Sequence, residues 1–349
     1  MRFYDRQHRF YCGVDLHART LALCVLDAQG QVVARLTVAA SPQAVLDALA
    51  PYRQDVALAC ECMFAWYWLA DLCQEQKIPF VLGHALYMKA IHGGKAKNDK
   101  IDAEKIARLL RGGNLPVAYA YPRAMRATRD LLRRRTFLVR QRAHLLAHVV
   151  NTNSQYNLPP LTKKLSYAAN RVELDVAARF SDPSVRKAVE ADLALVDACD
   201  TQIRELESYL TRAAKVDDPQ AYQRLRSVPG IGPVLALVFL YEIHDIRRFA
   251  EAGQFLSYAR LVRCAHESAG KKKGTGGQKI GNAHLKWAFS EATCLLLRGS
   301  EQAKHWLARR EKKRGKARAL GALAARLGRA VYHLLRQKEA FDAQRFFAS

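Results

Sequence analysis

The sequence predicts an α/β domain at the N-terminus, then a long helical arm, then a mainly α C-terminal domain. Three observations predict it. Residues 10–82 alternate short apolar segments with polar or glycine-containing turns. From about residue 123, apolar residues recur at helical spacing with arginines between them. Beyond Pro219, glycine and proline punctuate further helical stretches. Side-chain periods of about 2 and 3.6 residues separate strand from helix in such patterns.

The elements follow in order. Phe10–Leu16, Leu21–Leu26 and Val32–Val38 are rich in Val and Leu and read as strands. Their links are short enough for an antiparallel meander. Pro42–Tyr52 has helical spacing, Val56–Cys60 is a compact apolar strand, and Phe64–Gln74 is an apolar and aromatic helix. Pro79–Leu82 reads as another strand, and Asp99–Arg111 as a helix closed by Gly112 and Gly113. Helical crossovers therefore join the later strands. The expected divisions are 1–122, 123–218 and 219–349.

Residues 123–142 hold eight arginines and one acid, Asp130. With Leu131, Leu132, Leu138, Val139, Leu145 and Leu146 they form a basic amphipathic helix. The polar stretch Asn151–Pro160 is expected to break it. Ser184–Ala214 resumes helical periodicity through Leu193, Val196, Ile203 and Leu210. Two long helices with a polar interruption suggest a hairpin or coiled-coil arm, or equally a segment of an ordinary bundle. Val228-Pro229-Gly230-Ile231-Gly232-Pro233 lies between two helical stretches. It looks like a helix-hairpin-helix motif, whose glycines leave backbone N–H groups free to face a phosphate. The plain alternative is a turn with no function.

Ser268–Asn282 contains five glycines, four lysines and no acid. It is expected to be a cationic loop, since so much glycine suits neither a helix nor a central strand. Residues 304–336 add eleven Lys and Arg against one acid, Glu311.

The charge balance excludes several function classes. The 349 residues carry a formal charge of +24, are 50% hydrophobic and 25% charged. That composition is globular and favours a polyanionic partner, with nucleic acid ahead of an anionic membrane surface. No apolar run approaches the ~18 residues of a membrane helix, and no apolar leader opens the chain, so a cytoplasmic protein is expected. None of the eight cysteines forms a CxxC, and buried reduced thiols are expected for all of them.

Four carboxylates stand out in the N-terminal region. Asp15 lies at the end of the first strand and Glu61 ends the fourth. Asp99 and Asp102 open a helix at i and i+3, so both point from one face. Converging oxygen ligands of this kind hold Mg²⁺ or Mn²⁺, and paired ions assist phosphoryl transfer. Each acid also has an ordinary role open to it. Asp99 could cap the helix, Asp102 could complement its dipole, Asp15 could sit in a turn, and Glu61 could pair with an arginine. Together they occupy the positions at which the ribonuclease H-like fold, in its RuvC-like form, places metal ligands.

Gly13-Val14-Asp15-Leu16-His17, Glu61 followed by Trp66-Tyr67-Trp68-Leu69, and Lys97-Asn98-Asp99-Lys100-Ile101-Asp102-Ala103 resemble the DEDD insertion-sequence transposases. These are relatives of the Piv-type DNA invertase, and some are bridge-RNA-guided recombinases. Val228-Pro229-Gly230-Ile231-Gly232 and Phe255-Leu256-Ser257-Tyr258-Ala259-Arg260-Leu261 are similar to that family's C-terminal domain. The resemblance implies a RuvC-like domain holding Mg²⁺ or Mn²⁺ on Asp15, Glu61, Asp99 and Asp102. It implies a serine nucleophile, matched here by Ser268, that forms a covalent phosphoserine with DNA. It implies donor and target DNA, a structured noncoding guide RNA, and a homodimer or homotetramer. Two departures are visible. Cys62-Met63-Phe64 replaces a glycine-containing segment, and the proline usual before the serine is missing, with Ser257 the nearest alternative.

Backbone contacts to nucleic acid are expected from Gly230 and Gly232, from Lys271, Lys272, Lys273 and Lys279, and from Arg126, Arg129, Arg133 and Arg134. Arginine stacks and binds phosphate bidentately, which suits that role. Two other functions compete: a RuvC-type structure-specific endonuclease that cuts with water, and a nucleic-acid-binding protein without catalysis.

Overall fold

The computed structural model describes residues 2–91, 98–262, 264–276 and 280–348; side chains of 90, 264–268, 272–276 and 314 are also outside the described set. The chain forms two compact units, Met1–Ala124 and Met125–Ser349.

The first unit contains β1 (Phe10–Leu16), β2 (Thr20–Asp27), β3 (Val32–Ala39), α1 (Pro42–Leu49), β4 (Val56–Glu61), α2 (Trp66–Glu75), β5 (Phe80–Gly83), α3 (Ala85–Ile91) and α4 (Asp99–Arg111). The sheet order is β3-β2-β1-β4-β5. The first three strands are antiparallel, whereas β4 runs parallel to β1 and β5 parallel to β4. Short links permit hairpins, while the parallel neighbours require the crossovers that α1 and α2 supply. This is the topology expected of a ribonuclease H-like domain.

Strand alternation divides the residues between two faces. Cys12, Val14 and Leu16 pack with Val45 and Leu49 of α1 and with Leu69 and Cys73 of α2. Tyr11, Ala57 and Ala59 face the other way, onto Ala103, Ile106, Ala107 and Leu110 of α4. Removing each such leucine from water contributes roughly 1.5–3 kcal/mol. The helical spacing of Pro42–Tyr52 resolves into α1 and a short 3₁₀ turn over Ala50–Tyr52. Pro51 lacks the N–H that would continue the α-helix.

The second unit contains α5 from Arg123 to Gln155, which starts just before the boundary, then α6 (Ala168–Val172), α7 (Val176–Arg179), α8 (Pro183–Asp217), α9 (Pro219–Arg226), α10 (Pro233–Ile243) and α11 (Ala252–Tyr258). A two-stranded sheet of β6 (Cys264–Ser268) and β7 (Lys271–Gly276) follows. It is succeeded by α12 (Ala283–Gly299), α13 (Glu301–Arg314), α14 (Lys316–Gln337) and α15 (Ala343–Phe347). Gly315, with φ of 79°, separates α13 from α14.

Helices α5 and α8 run antiparallel. Arg135 pairs with Glu207, Arg142 with Asp200 and His148 with Asp192, so partners descend along α8 as α5 ascends. Val189, Val196, Ile203 and Leu210 are buried at seven-residue intervals on α8.

Two sequence expectations need correction, and a third holds. The helix break expected over Asn151–Pro160 falls inside that stretch, after Gln155, with Thr152 and Asn153 still buried in α5. The Asn153 side chain donates to the Leu158 and Pro159 carbonyls just past the helix end. Within the expected loop Ser268–Asn282, Lys271–Gly276 is a strand. Glycine argues against a central strand, but a two-stranded edge pairs through backbone alone. Finally, Cys62 and Cys294 are exposed rather than buried. Among the described residues, no helix is long and apolar enough to cross a membrane.

Candidate functional site

The candidate metal centre forms at the carboxyl ends of the parallel strands. Residues Val14 and Cys60 are register partners on β1 and β4, so Asp15 and Glu61 occupy the next position on each strand. Alternation places Asp15 on the face of Tyr11 and Gly13, and Glu61 on the face of Ala57 and Ala59. Both acids therefore belong to the α4 side of the sheet.

Gly13 determines how closely α4 approaches. A Cβ at Gly13 would lie 2.1 Å from the Ala103 carbonyl oxygen and 2.3 Å from the Ala107 nitrogen. Only a residue without a side chain fits there. The start of α4 is capped by Asn98, whose Oδ1 accepts from the Ile101 N–H at 2.8 Å. Asp99 is thereby released from the capping role open to it in the sequence.

Asp15, His17 and Asp99 converge. One ligand atom from each lies within 4.8 Å of the others. His17 Nε2 is 3.3 Å from Asp15 Oδ2 and 3.5 Å from Asp99 Oδ1. Ligands at about 2.1 Å from one ion lie up to about 4.2 Å apart, so this donor set fits a divalent cation with little adjustment. Burial raises the Asp15 carboxyl above its ordinary range. His17 opposes that shift, and the charges of Asp99 and Asp102 add to it. Crowded carboxylates of this kind are what a divalent cation's field relieves.

Asp102 is close enough to act on Asp15 electrostatically, but its Oδ1 accepts from Lys105 Nζ at 3.1 Å. Neither Asp102 nor Glu61 completes the 4.8 Å group among the described residues. The sequence reading did not assign His17 to the ligands. Its signal was present, since i and i+2 at a strand end share a face with Asp15.

Ser268 stands at the end of β6, paired in register with Lys271. Between them, Ala269 and Gly270 have φ of 51° and 72°. Two central residues with positive φ are the signature of a tight type I′ hairpin turn. Ser268 is thus at the hairpin tip. Lys279, and the side chains of Ser268, Lys272 and Lys273, lie outside the described residues.

Two family models match the chain. The DEDD transposase model of the IS110 group matches residues 12–156, and the transposase IS116/IS110/IS902 family model matches residues 222–307. The chain belongs to the DEDD-type insertion-sequence transposases. It is 25% identical over 334 residues to a transposase for insertion sequence element IS1111A from Coxiella burnetii, covering 94% of this chain and 90% of that protein. It is 26% identical over 145 residues to an insertion element IS116 protein from Streptomyces clavuligerus, covering 41% of this chain and 36% of that protein. The protein is thus an enzyme, a DNA transposase, and the β-sheet order agrees with the ribonuclease H-like fold of its DEDD domain.

Several cations expected at this transposase's nucleic-acid surface are occupied internally. Arg126 and Arg129 are buried. Arg129 Nε donates to Glu242 Oε2 at 3.1 Å, and Arg133 Nε donates to Glu242 Oε1 at 2.7 Å. Asn282, which caps α12 through its Oδ1, also donates its Nδ2 to Glu242 at 2.7 Å. Arg129 and Arg133 neutralise this buried acid, and the Arg133 side chain keeps about a third of its surface exposed (36%). Glu242 reaches the core because α10 carries it there on an otherwise apolar helix. Arg134 is exposed, with its guanidinium over the Phe137 ring, and Lys271 is exposed.

Gly230, with φ of +88°, packs against α12. A Cβ there would lie 2.6 Å from the Ala292 oxygen and the Leu296 nitrogen. Its position is explained by this close helix approach. Gly232 differs, since a Cβ would meet nothing within 4 Å, and its backbone opens α10.

Proposed function

We propose that this transposase cuts and rejoins DNA through a covalent phosphoserine on Ser268, assisted by the acidic centre of the first unit. The convergence of Asp15, His17 and Asp99, with Asp102 on the same helix face, carries the metal part of this reading. Asp15, Glu61, Asp99 and Asp102 would hold Mg²⁺ or Mn²⁺. Bound divalent ions neutralise charge on a phosphodiester and favour the departure of an alkoxide.

Ser268 Oγ would attack phosphorus. The new P–Oγ bond forms as the bond from phosphorus to one sugar oxygen breaks, and the proton lost by serine ends on that departing oxygen. A second sugar hydroxyl then reverses the exchange and releases the serine. The tight turn at Ala269 and Gly270 supports this reading, because it places Ser268 at a hairpin tip, paired in register with Lys271 at the start of the lysine-rich β7. Exposed Lys271 would help neutralise the phosphate.

The chain's +24 charge supports polyanionic partners, donor and target DNA among them. A structured guide RNA would supply sequence choice by base pairing, with exposed Arg134 and Gly232 gripping backbones. Antiparallel α5 and α8, with buried residues every seven positions, support a coiled-coil arm over 123–218. The acting species would be a homodimer or homotetramer. The helices flanking Gly230 and Gly232 would act as the helix-hairpin-helix of the region 219–349.

The test combines purified protein, its co-purified RNA, DNA bearing insertion-sequence ends, and Mg²⁺ or Mn²⁺. Denaturing gels should show a protein–DNA adduct with the wild type and none with Ser268→Ala. Undiminished cutting by Ser268→Ala, with no adduct in either protein, would replace this mechanism by RuvC-type hydrolysis.

A further inference from the structure

The loop after β4 carries an exposed aromatic ring at the carboxyl edge of the sheet, the edge that also carries the acidic centre. Phe64 is 80% exposed, and Met63 beside it is 42% exposed. Scattered apolar residues are ordinary on a protein surface, but three observations set this pair apart.

The loop is held at both ends. The Cys62 N–H donates to the Gly83 carbonyl at 2.9 Å, and the Met63 N–H donates to the Glu61 carbonyl at 2.8 Å. On the other side, Trp66 is buried at the start of α2, edge-on to Tyr67 and parallel to Phe80. Phe64 sits between these anchors and makes no ring contact among the described residues.

The exposure repeats on the neighbouring strand. Glu61 and Gly83 are register partners on β4 and β5. Phe64 is the third residue past Glu61, and Leu86, which is also exposed, is the third past Gly83. The ends of both strands therefore offer apolar side chains to solvent. The loop also lacks charge. No residue from Cys62 to Ala70 is charged, in a chain of net charge +24. It has no cation to offer a phosphate, only apolar surface.

Area decides what that surface fits. Each side of a stable protein interface buries about 800 Å². One phenylalanine buries about 150–250 Å². A ring with two aliphatic neighbours falls short of a protein interface, whereas one aromatic ring suffices to stack on a nucleobase. Three residues past Glu61, Phe64 reaches at most about 11 Å. Stacked bases rise about 3.4 Å along a strand, so this reach spans about three base steps.

We propose that Phe64 is a wedge that stacks on a nucleobase within about three nucleotides of the phosphate at the acidic centre and unstacks the base step there. Phenylalanine, methionine and leucine are side chains that part base steps in this way. The proposal rests on the reading of the acidic centre as a site for a DNA phosphate, and adds to it a contact with a base.

The experiment uses the full chain with its co-purified RNA and DNA bearing insertion-sequence ends. Ca²⁺ replaces Mg²⁺, filling the oxygen ligands without the octahedral geometry of Mg²⁺, so that cutting is held back. 2-Aminopurine is placed at successive positions along the DNA, since its fluorescence rises when its stacked neighbours separate. Wild type should brighten the probe within about three nucleotides of the cut, which is mapped separately with Mg²⁺. Phe64→Ala should abolish the rise and weaken DNA binding about five- to 100-fold. It should leave the slope of log affinity against log salt unchanged, because no phosphate contact is lost. Phe64→Tyr should keep the wild-type signal and affinity. The ring is exposed, so both variants should melt with wild type. Equal fluorescence in wild type and Phe64→Ala, with cutting intact, overturns the wedge alone. A drop in the light-scattering mass of Phe64→Ala at unchanged DNA affinity also overturns it, and assigns the ring to a second copy of the chain. If Ser268→Ala still cuts, the serine mechanism fails, yet a rise in that variant that depends on Phe64 leaves the wedge standing. A rise that depends on Phe64 in DNA that wild type never cuts overturns the placement beside the acidic centre.

Discussion

Gly13 on β1 and Ala103 on α4 approach so closely that a Cβ on Gly13 would sit 2.1 Å from the Ala103 carbonyl oxygen. This contact brings the start of α4 to the strand end that carries Asp15. Gly13→Ala should therefore push α4 off the sheet. A destabilisation of about 1–3 kcal/mol or more is expected, because the obstacle is backbone. Denaturant unfolding measures it, and Mn²⁺ titration should show the acidic centre weakened in the same variant.

Asp99→Asn should remove detectable Mn²⁺ binding in calorimetry and abolish DNA cutting. Chelation of the wild type with EDTA should do the same to cutting, with recovery on adding Mg²⁺ or Mn²⁺. His17→Ala should lower Mn²⁺ affinity roughly ten-fold, the lower end of what loss of a metal-site partner costs. Equal affinities for wild type and His17→Ala would place His17 outside the ligand set.

Asn98→Ala removes the cap of α4 and should cost about 1 kcal/mol of stability. The first helical turn would fray, and that turn holds Asp99 and Asp102. Hydrogen exchange at Ile101 and Asp102 should rise before any change elsewhere in the sheet.

Glu242 gives the second unit an acid-sensitive element. Burial works to raise its pKa, but Arg133 and Arg129, with the Asn282 hydrogen bond, override this and hold it at about 2 instead of 4.5. A carboxylate depressed on folding stabilises the native state above its unfolded pKa. That contribution is lost as pH falls from about 4.5 through about 2. Glu242→Gln should flatten stability across this window. It should also cost roughly 3 kcal/mol at neutral pH, the low end for a broken buried pair, since Arg133 is partly solvated. Chemical denaturation between pH 2 and 7 decides both points.

Gly230→Ala tests whether that glycine serves packing. Its Cβ would meet α12 backbone at 2.6 Å, in a positive-φ conformation unfavourable to alanine. A loss of about 1–3 kcal/mol is expected. Gly232→Ala, facing open space, should leave stability within about 0.5 kcal/mol.

The strands of the first unit were legible because their residues alternate between two buried faces, as Val14 and Asp15 do. The acids at the ends of β1 and β4 followed from the same alternation. Glu242 shows where this legibility stops. Its partners Arg129 and Arg133 lie 113 and 109 residues away, and no local period connects them. The hairpin at Ser268 was missed because its glycines obscure the strand pattern that backbone pairing restores.

By itself, the sequence determined a basic protein, five strands of an α/β sheet, and motifs shared with the DEDD transposases. It also carried the i, i+3 spacing of Asp99 and Asp102. Tertiary structure alone decided that His17 joins Asp15 and Asp99, that Asn98 does the capping, and which arginines are consumed by an internal acid. The reason is physical. Periodicity records which face a residue occupies along its own element, whereas ligation and ion pairing depend on distances of a few ångströms between elements. Those distances are set by packing contacts such as Gly13 against Ala103.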